Sequence, residues 1–229
     1  MPIQNNYETG GRALANYDYS DLASGVGYQT FYGLAVNEGL SGALSYILSE
    51  NVRPTTQIGD SETASVVTIH TSGAFINAES DPADSFDIDF DLSAFNLSRT
   101  LKGTAIAQIP WGQNYTPSGA LSGAIICSIR KWDGATETDI ASAAVQKRIN
   151  TSGTQYILST LEIPITEAWT FSDGEVLRVT VEGRVLASSG NAQIGMAHDP
   201  IDRAGSSNYT NTQISTRVFK IDIPFEVYQ

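Results

Sequence analysis

An all-β chain, folded as an antiparallel β-sandwich, is what three features of this sequence predict. Apolar and polar residues alternate with a period of two over long stretches, Gly, Asp, Ser and Asn punctuate those stretches at short intervals, and helical periodicity is nearly absent. Strands that are apolar on one side, without crossover helices, imply antiparallel pairing rather than a parallel α/β sheet. Among sandwiches, a jelly roll is the specific expectation.

The 229 residues divide into an N-terminal arm over 1–27 and one sandwich domain over 28–229. The arm carries Gly10, Gly11, Gly25 and Gly27 with Tyr7, Tyr17 and Tyr19, and shows no parity. Such a segment suits an extended strap that lays its rings on another surface, since tyrosine combines a large contact area with a polar tip. A frayed terminus is the competing reading.

Strands are expected at 28–36, 44–52, 66–70, 86–92, 100–109, 120–132, 143–149, 156–165, 176–186 and 219–227. The clearest is 176–186, where Leu177, Val179, Val181 and Val185 alternate with Arg178, Thr180, Glu182 and Arg184. At 219–227, Phe219, Ile221, Ile223, Phe225 and Val227 share one parity; Pro224 on the other points to an edge or bulged position, because it cannot donate to a ladder. Phe86, Ile88, Phe90 and Leu92 likewise alternate with Asp87, Asp89 and Asp91. The best helical stretch, 138–145, is short. Residues 197–213 form an aperiodic loop long enough to be a contact loop.

Composition bounds the function. With 41% hydrophobic residues in regular runs, the chain can bury a core and is not a disordered type. A formal charge of -12 argues against a nucleic-acid partner, which would call for a basic footprint, and disfavours anionic membranes. Cys127 is the single cysteine and sits in an apolar run, so no internal disulfide is expected and the thiol reads as buried and inert. The first residues have neither the basic nor the apolar region of a signal peptide, and no apolar run approaches the roughly 18 residues of a membrane span. The expected setting is assembly in a cytoplasm.

Candidate chemistry is sparse. Asp87, Asp89 and Asp91 invite a calcium reading, but Leu92 and Ser98 stand where an EF-hand needs glycine and glutamate. On a strand the three would also spread over roughly 13 Å, so a solvated strand face is preferred. Two histidines, His70 and His198, leave little for a triad or a zinc site; His70 reads as structural and His198 as either structural or functional. No Gly-x-Ser-x-Gly elbow occurs, and a pair of carboxylates for glycoside hydrolysis would be unspecific in so acidic a chain. Trp111, Trp132 and Trp169 raise a carbohydrate-binding alternative, with Trp111 the most exposed in its sequence context. No catalytic, cofactor-binding or metal-binding residue is assigned.

Two stretches carry a resemblance. The run Tyr17-Asp-Tyr19-Ser-Asp-Leu-Ala-Ser-Gly25-Val-Gly27-Tyr28, followed by Phe31-Tyr32-Gly33, resembles the N-terminal region of virion proteins of tailed bacteriophages. The run Leu161-Glu-Ile-Pro-Ile165, then Trp169-Thr-Phe171-Ser-Asp-Gly174-Glu-Val-Leu-Arg-Val179, is similar to the strand-turn-strand end of viral jelly rolls. The resemblance implies a structural protein that decorates or cements a capsid, or a head fibre, with a tail or receptor-binding component as its neighbour. It implies no cofactor and no enzyme. The expected partners are the major capsid protein or other virion subunits and further copies of this chain, in a virion. Interfaces of this kind draw on a few aromatic or arginine anchors, here Tyr7, Arg12, Tyr17, Tyr19, Tyr28, Phe31 and Tyr32.

Overall fold

The computed structural model describes residues 25–37, 44–51, 66–72, 85–116, 121–149, 153–188, 191–198 and 219–226, and every regular element among them is a strand. In chain order these are β1 (Val26–Asn37), β2 (Leu44–Ser49), β3 (Val66–Ser72), β4 (Ser85–Asp91), β5 (Arg99–Thr116), β6 (Leu121–Trp132), β7 (Glu137–Ile149), β8 (Gly153–Phe171), β9 (Val176–Ser188), β10 (Asn191–Ala197) and β11 (Lys220–Glu226). Val26 and Gly27 already belong to β1, slightly ahead of the expected domain start. Most of the loop expected at 197–213 lies outside the described residues.

Two departures from expectation have local causes. β10 escaped notice because only Ile194 and Met196 alternate within its seven residues. The helix-like stretch 138–145 is part of β7. There Ile129 pairs with Ala141 and Arg130 with Asp139, so Ile140 is an extra residue on the β7 side. Both Ile140 and Ala141 then pack against the core, together with Ala143 and Val145. A bulge places two successive residues inward and so imitates a helical spacing.

The strands form one curled sheet in the order β3-β10-β5-β11-β1-β2-β4-β9-β6-β7, with β8 on the remaining edge of β5. Its curl brings β7 beside β8 and β10 beside β9. Two runs of four, β8-β5-β11-β1 and β4-β9-β6-β7, are antiparallel throughout. The pairing is not purely antiparallel, however: β2 meets β4 in parallel through the single pair Ile47 and Asp91.

β5 organises the first run. Its 18 residues pair with β8 along one edge, while the other edge serves β11 from Leu101 to Gln108 and β10 from Trp111 to Thr116. Its ladders with β8 and β11 shift register near Gly103, which takes φ +117, a conformation that other residues rarely adopt. Pro224 of β11 lies against this point, and pairing with β5 resumes only at Phe225. Of the two positions expected for Pro224, the bulge is realised and the edge is not, since β11 runs between β1 and β5. The hydroxyl of Tyr28, the residue opposite Pro224 on β1, donates to the carbonyl of Thr104 at 3.2 Å. A side chain thus supplies a bond in a stretch where proline has no N–H to offer.

The core fills the space between the layers with the inward residues of both. Phe31, Leu101, Ile109, Trp111, Ile163, Ile221 and Ile223 meet Ile88, Phe90, Ile125, Ile129, Val179 and Val181 in one buried cluster. Cys127 belongs to it, and burial pushes its thiol pKa up to about 12, so it stays protonated and unreactive at neutral pH. The rings of Phe90 and Phe219 are tilted with centroids 5.1 Å apart. Gly33 faces this pair closely: a Cβ there would lie 2.5 Å from Phe219 Cδ1 and 2.8 Å from Phe90 Cε1. Gly33→Ala is therefore expected to cost about 1–3 kcal/mol through overpacking. Chemical denaturation of the variant against the parent chain measures it, with a lowered midpoint at unchanged slope as the expected result.

Candidate functional site

The two layers expose outer faces of different chemistry. On β4-β9-β6-β7, strand pairing aligns Asp91, Arg178, Arg130 and Asp139 across four strands in one rung. Arg178 grips Asp91 with two bonds, Nε to Oδ1 at 2.7 Å and a terminal nitrogen to Oδ2 at 2.9 Å. Its other terminal nitrogen reaches Glu137 at 2.7 Å and Asp89 at 3.2 Å. Arg130 shares Glu137 at 2.7 Å and binds Asp139 at 2.8 Å. The Arg178 guanidinium lies over Trp132, 5.1 Å from the ring centroid. Two like charges stand side by side in this rung because carboxylates surround both. The bonds to Asp91 and Glu137 raise the arginine's pKa above its already high value, so it is charged at every accessible pH.

This network engages two of the three aspartates that invited a calcium reading. Asp89 and Asp91 are spent on Arg178, and the Thr180 hydroxyl donates to Asp89 at 2.7 Å. Asp87 stands apart, opposite Glu182. Burial, then the charges of Asp89, Glu182 and Glu137, hold its pKa above the ordinary carboxylate value, with Arg130 opposing. Among the described residues no group of three or more His, Cys, Asp or Glu side chains is arranged to hold a metal ion.

The outer face of β8-β5-β11-β1 is far less charged. Its rungs are Tyr32, Lys220, Gln108 and Thr160, then Thr30, Asp222, Ile106 and Glu162. Tyr28 and Pro224 follow on one side, and Pro110 with Leu158 on the other. The Thr30 hydroxyl donates to Asp222 at 2.5 Å, and Lys220 lies 3.6 Å from the same carboxylate. Tyr28 is 36% exposed and Leu158 44%, two of the four large apolar side chains exposed among the described residues. Ile106 was the overlooked signal here, an apolar residue at the outward parity of β5.

The expected anchors fare unequally. Tyr28 and Tyr32 both lie on this face, and Tyr28 is held by its bond to Thr104. Phe31 has the opposite parity and is 1% exposed, so it is a core residue and not a surface anchor. Tyr7, Arg12, Tyr17 and Tyr19 lie outside the described residues. Trp111 is also corrected: it is fully buried, its indole N–H donating to the Ser159 hydroxyl at 2.8 Å, and offers no ring to a sugar. Trp132 and Trp169 are half-buried. His198 is buried against the rings of Tyr46 and Phe90, while His70 sits in β3 opposite Ile194.

No protein-family model and no curated protein matches the chain. Solved structures with a similar course exist at low identity. A CocE/NonD family hydrolase from Staphylococcus aureus is 13% identical with a TM-score of 0.49, over 88% of this chain and 36% of the hydrolase. An aminopeptidase from a marine sediment archaeon, Thaumarchaeota archaeon, is 9% identical with a TM-score of 0.47, over 85% and 36%. Particles derived from infectious bursal virus provide a further similar chain, 12% identical with a TM-score of 0.33, over 89% and 55%. The chain thus spans about a third of the length of the hydrolase and the aminopeptidase.

The charged face yields two opposite expectations. Removing Arg178 leaves Asp89, Asp91 and Glu137 uncompensated, so Arg178→Ala is expected to lose about 1–3 kcal/mol, between the values for exposed and for buried pairs. Asp87→Asn is expected to stabilise at neutral pH. The folded-state pKa of Asp87 is raised, so its ionised form opposes folding above that pKa and the penalty fades as pH falls through it. Thermal melts of the Asn variant and the parent chain should differ at pH 7 and converge below the ordinary carboxylate range.

Proposed function

We propose that this chain is a structural subunit of a virus particle, of the decoration, cement or head-fibre kind found on tailed phages. In this reading it docks on capsid or neighbouring subunits through the outer face of β8-β5-β11-β1 and performs no catalysis. The observation that carries the reading is the strand order. The order of the two runs β8-β5-β11-β1 and β4-β9-β6-β7 supports a jelly-roll reading, an architecture used by viral capsid proteins as well as by lectins and cupins.

The contrast between the faces supports a docking role. The charged face satisfies its arginines within its own network, whereas the opposite face offers Tyr28, Tyr32, Ile106, Pro164 and Leu158 around few charges. Tyr28 is fixed by its hydroxyl, so its ring is pre-organised and loses little freedom on contact. Residues 1–24 precede β1 in the sequence, and in this reading the rings of Tyr7, Tyr17 and Tyr19 take part in the same attachment. Repeated copies on a symmetric shell, or a small closed oligomer of this chain, fit that arrangement.

The test is mass spectrometry of purified particles of the encoding virus, together with rebinding of the recombinant chain to particles stripped of it. The chain is expected in the particles. A Tyr28→Ser, Tyr32→Ser double variant is expected to rebind about tenfold or more weakly, as loss of hot-spot rings does. Deletion of residues 1–24, which stops short of β1, should weaken rebinding while leaving the fold intact. Absence from particles overturns the reading, and unimpaired rebinding by the double variant overturns the choice of face.

A further inference from the structure

β2 and β4 touch through one residue pair, Ile47 and Asp91, and then part. Where they part, a cleft of about 550 Å³ opens between residues 47–51 at the end of β2 and residues 92–97 after β4, with Gln29 and Arg99 also lining it. That volume falls within the usual range for small-molecule sites.

One wall is built rigidly. The segment after β4 is fastened to the start of β9 and the turn before it by three backbone bonds: Leu92 N–H to the Leu177 carbonyl at 2.9 Å, Phe95 N–H to the Glu175 carbonyl at 3.0 Å, and Gly174 N–H to the Phe95 carbonyl at 2.8 Å. The Phe95 ring packs on Phe171 and Phe225, at 5.1 and 6.2 Å between centroids. On the other wall Asn51 N–H donates to the Ser49 hydroxyl oxygen at 3.2 Å, closing a tight turn. A ligand entering here would pay little for ordering the protein.

We propose that this cleft binds a neutral saccharide. Its rim holds the two remaining exposed large apolar side chains among the described residues, Leu97 at 77% and Ile47 at 36% exposure, which suit the C–H face of a sugar ring. Beside them stand the exposed carboxamides of Asn51 and Asn96. Each carries donor and acceptor on one group, the complement of hydroxyls that do both. The charged groups of the cleft are already engaged: Glu50 accepts from Gln29 Nε2 at 2.5 Å, and Arg99 lies over the Phe225 ring, 5.8 Å from its centroid. One carboxylate and one guanidinium leave the cleft without net charge in a chain of -12, so neither a phosphate nor a cation is favoured. This site is independent of Trp111 and of the docking face.

The test is a titration of the isotope-labelled full chain, followed by NMR, with neutral di- and trisaccharides of glucose, galactose and mannose at millimolar concentration. Saturable shift changes are expected at residue 29 and within 47–51 and 92–99. An Asn51→Ala, Asn96→Ala double variant should bind about tenfold or more weakly, because it loses two hydrogen-bonding groups. Both positions are exposed, so thermal unfolding should be unchanged. The proposal falls if no sugar produces saturable changes, if the changes map elsewhere, or if the double variant binds as well as the parent. It also falls if a synthetic peptide of residues 1–24 produces those changes and no sugar does. Particle association is a separate readout, so a chain that fails to join particles yet binds sugar through this cleft leaves the proposal standing.

Discussion

The need of one long strand for partners on both edges shapes this fold. An 18-residue strand exposes two rows of backbone donors and acceptors, and leaving either row unpaired in an apolar interior would cost more than the strand contributes. β8 covers one row alone. No single strand covers the other, so β11 and β10 share it end to end. Their sharing joins the strands that continue to β1 with the pair β10 and β3, and the rest of the sheet curls outward from that junction. Trp111 sits on the β10 side of this junction, where Met196 faces it in register, and its buried indole fills the core there.

Charge is distributed with a similar logic. In an antiparallel ladder, residues opposite each other point to the same side, so a row of alternating aspartates on β4 faces whatever β9 presents at the matching positions. β9 presents Glu182, Thr180 and Arg178 to Asp87, Asp89 and Asp91. One end of the row is an arginine network and the other a carboxylate pair, whose repulsion is opposed by Arg130 at Asp87 and by Arg184, which holds Glu182. The opposite layer has no such row: Lys220, Asp222 and Glu162 stand there among tyrosine, threonine, proline and aliphatic residues.

Most of the strands could be read from the sequence because half-buried strands imprint a period of two, as in Leu177, Val179 and Val181 against Arg178, Thr180 and Glu182. What resisted reading was non-local. Ile140 looked helical because a bulge shifted the parity by one. Trp111 looked exposed beside Pro110 and Gly112, yet a serine from β8, Ser159, met its N–H in the interior. Phe31 was grouped with Tyr28 and Tyr32 by composition, although parity alone separates it from them. The cleft left no trace, since Ile47, Asn51, Asn96 and Leu97 come together only where two strands diverge, and no local pattern records a divergence.

The pairing of β1 with β11 bears on the timing of synthesis. β11 lies between β1 and β5, so neither of those strands acquires its full set of neighbours until residues near 226 have emerged from the ribosome. Nearly the whole described chain separates the partners, and translation at 5–20 residues per second opens an interval on the order of 10–40 s. During it, the edges of β1 and β5 that will receive β11 stand open in the nascent chain, where other strands could pair with them. Pro224, which withholds a donor from β11, makes that strand a poorer template for a second copy to copy in turn.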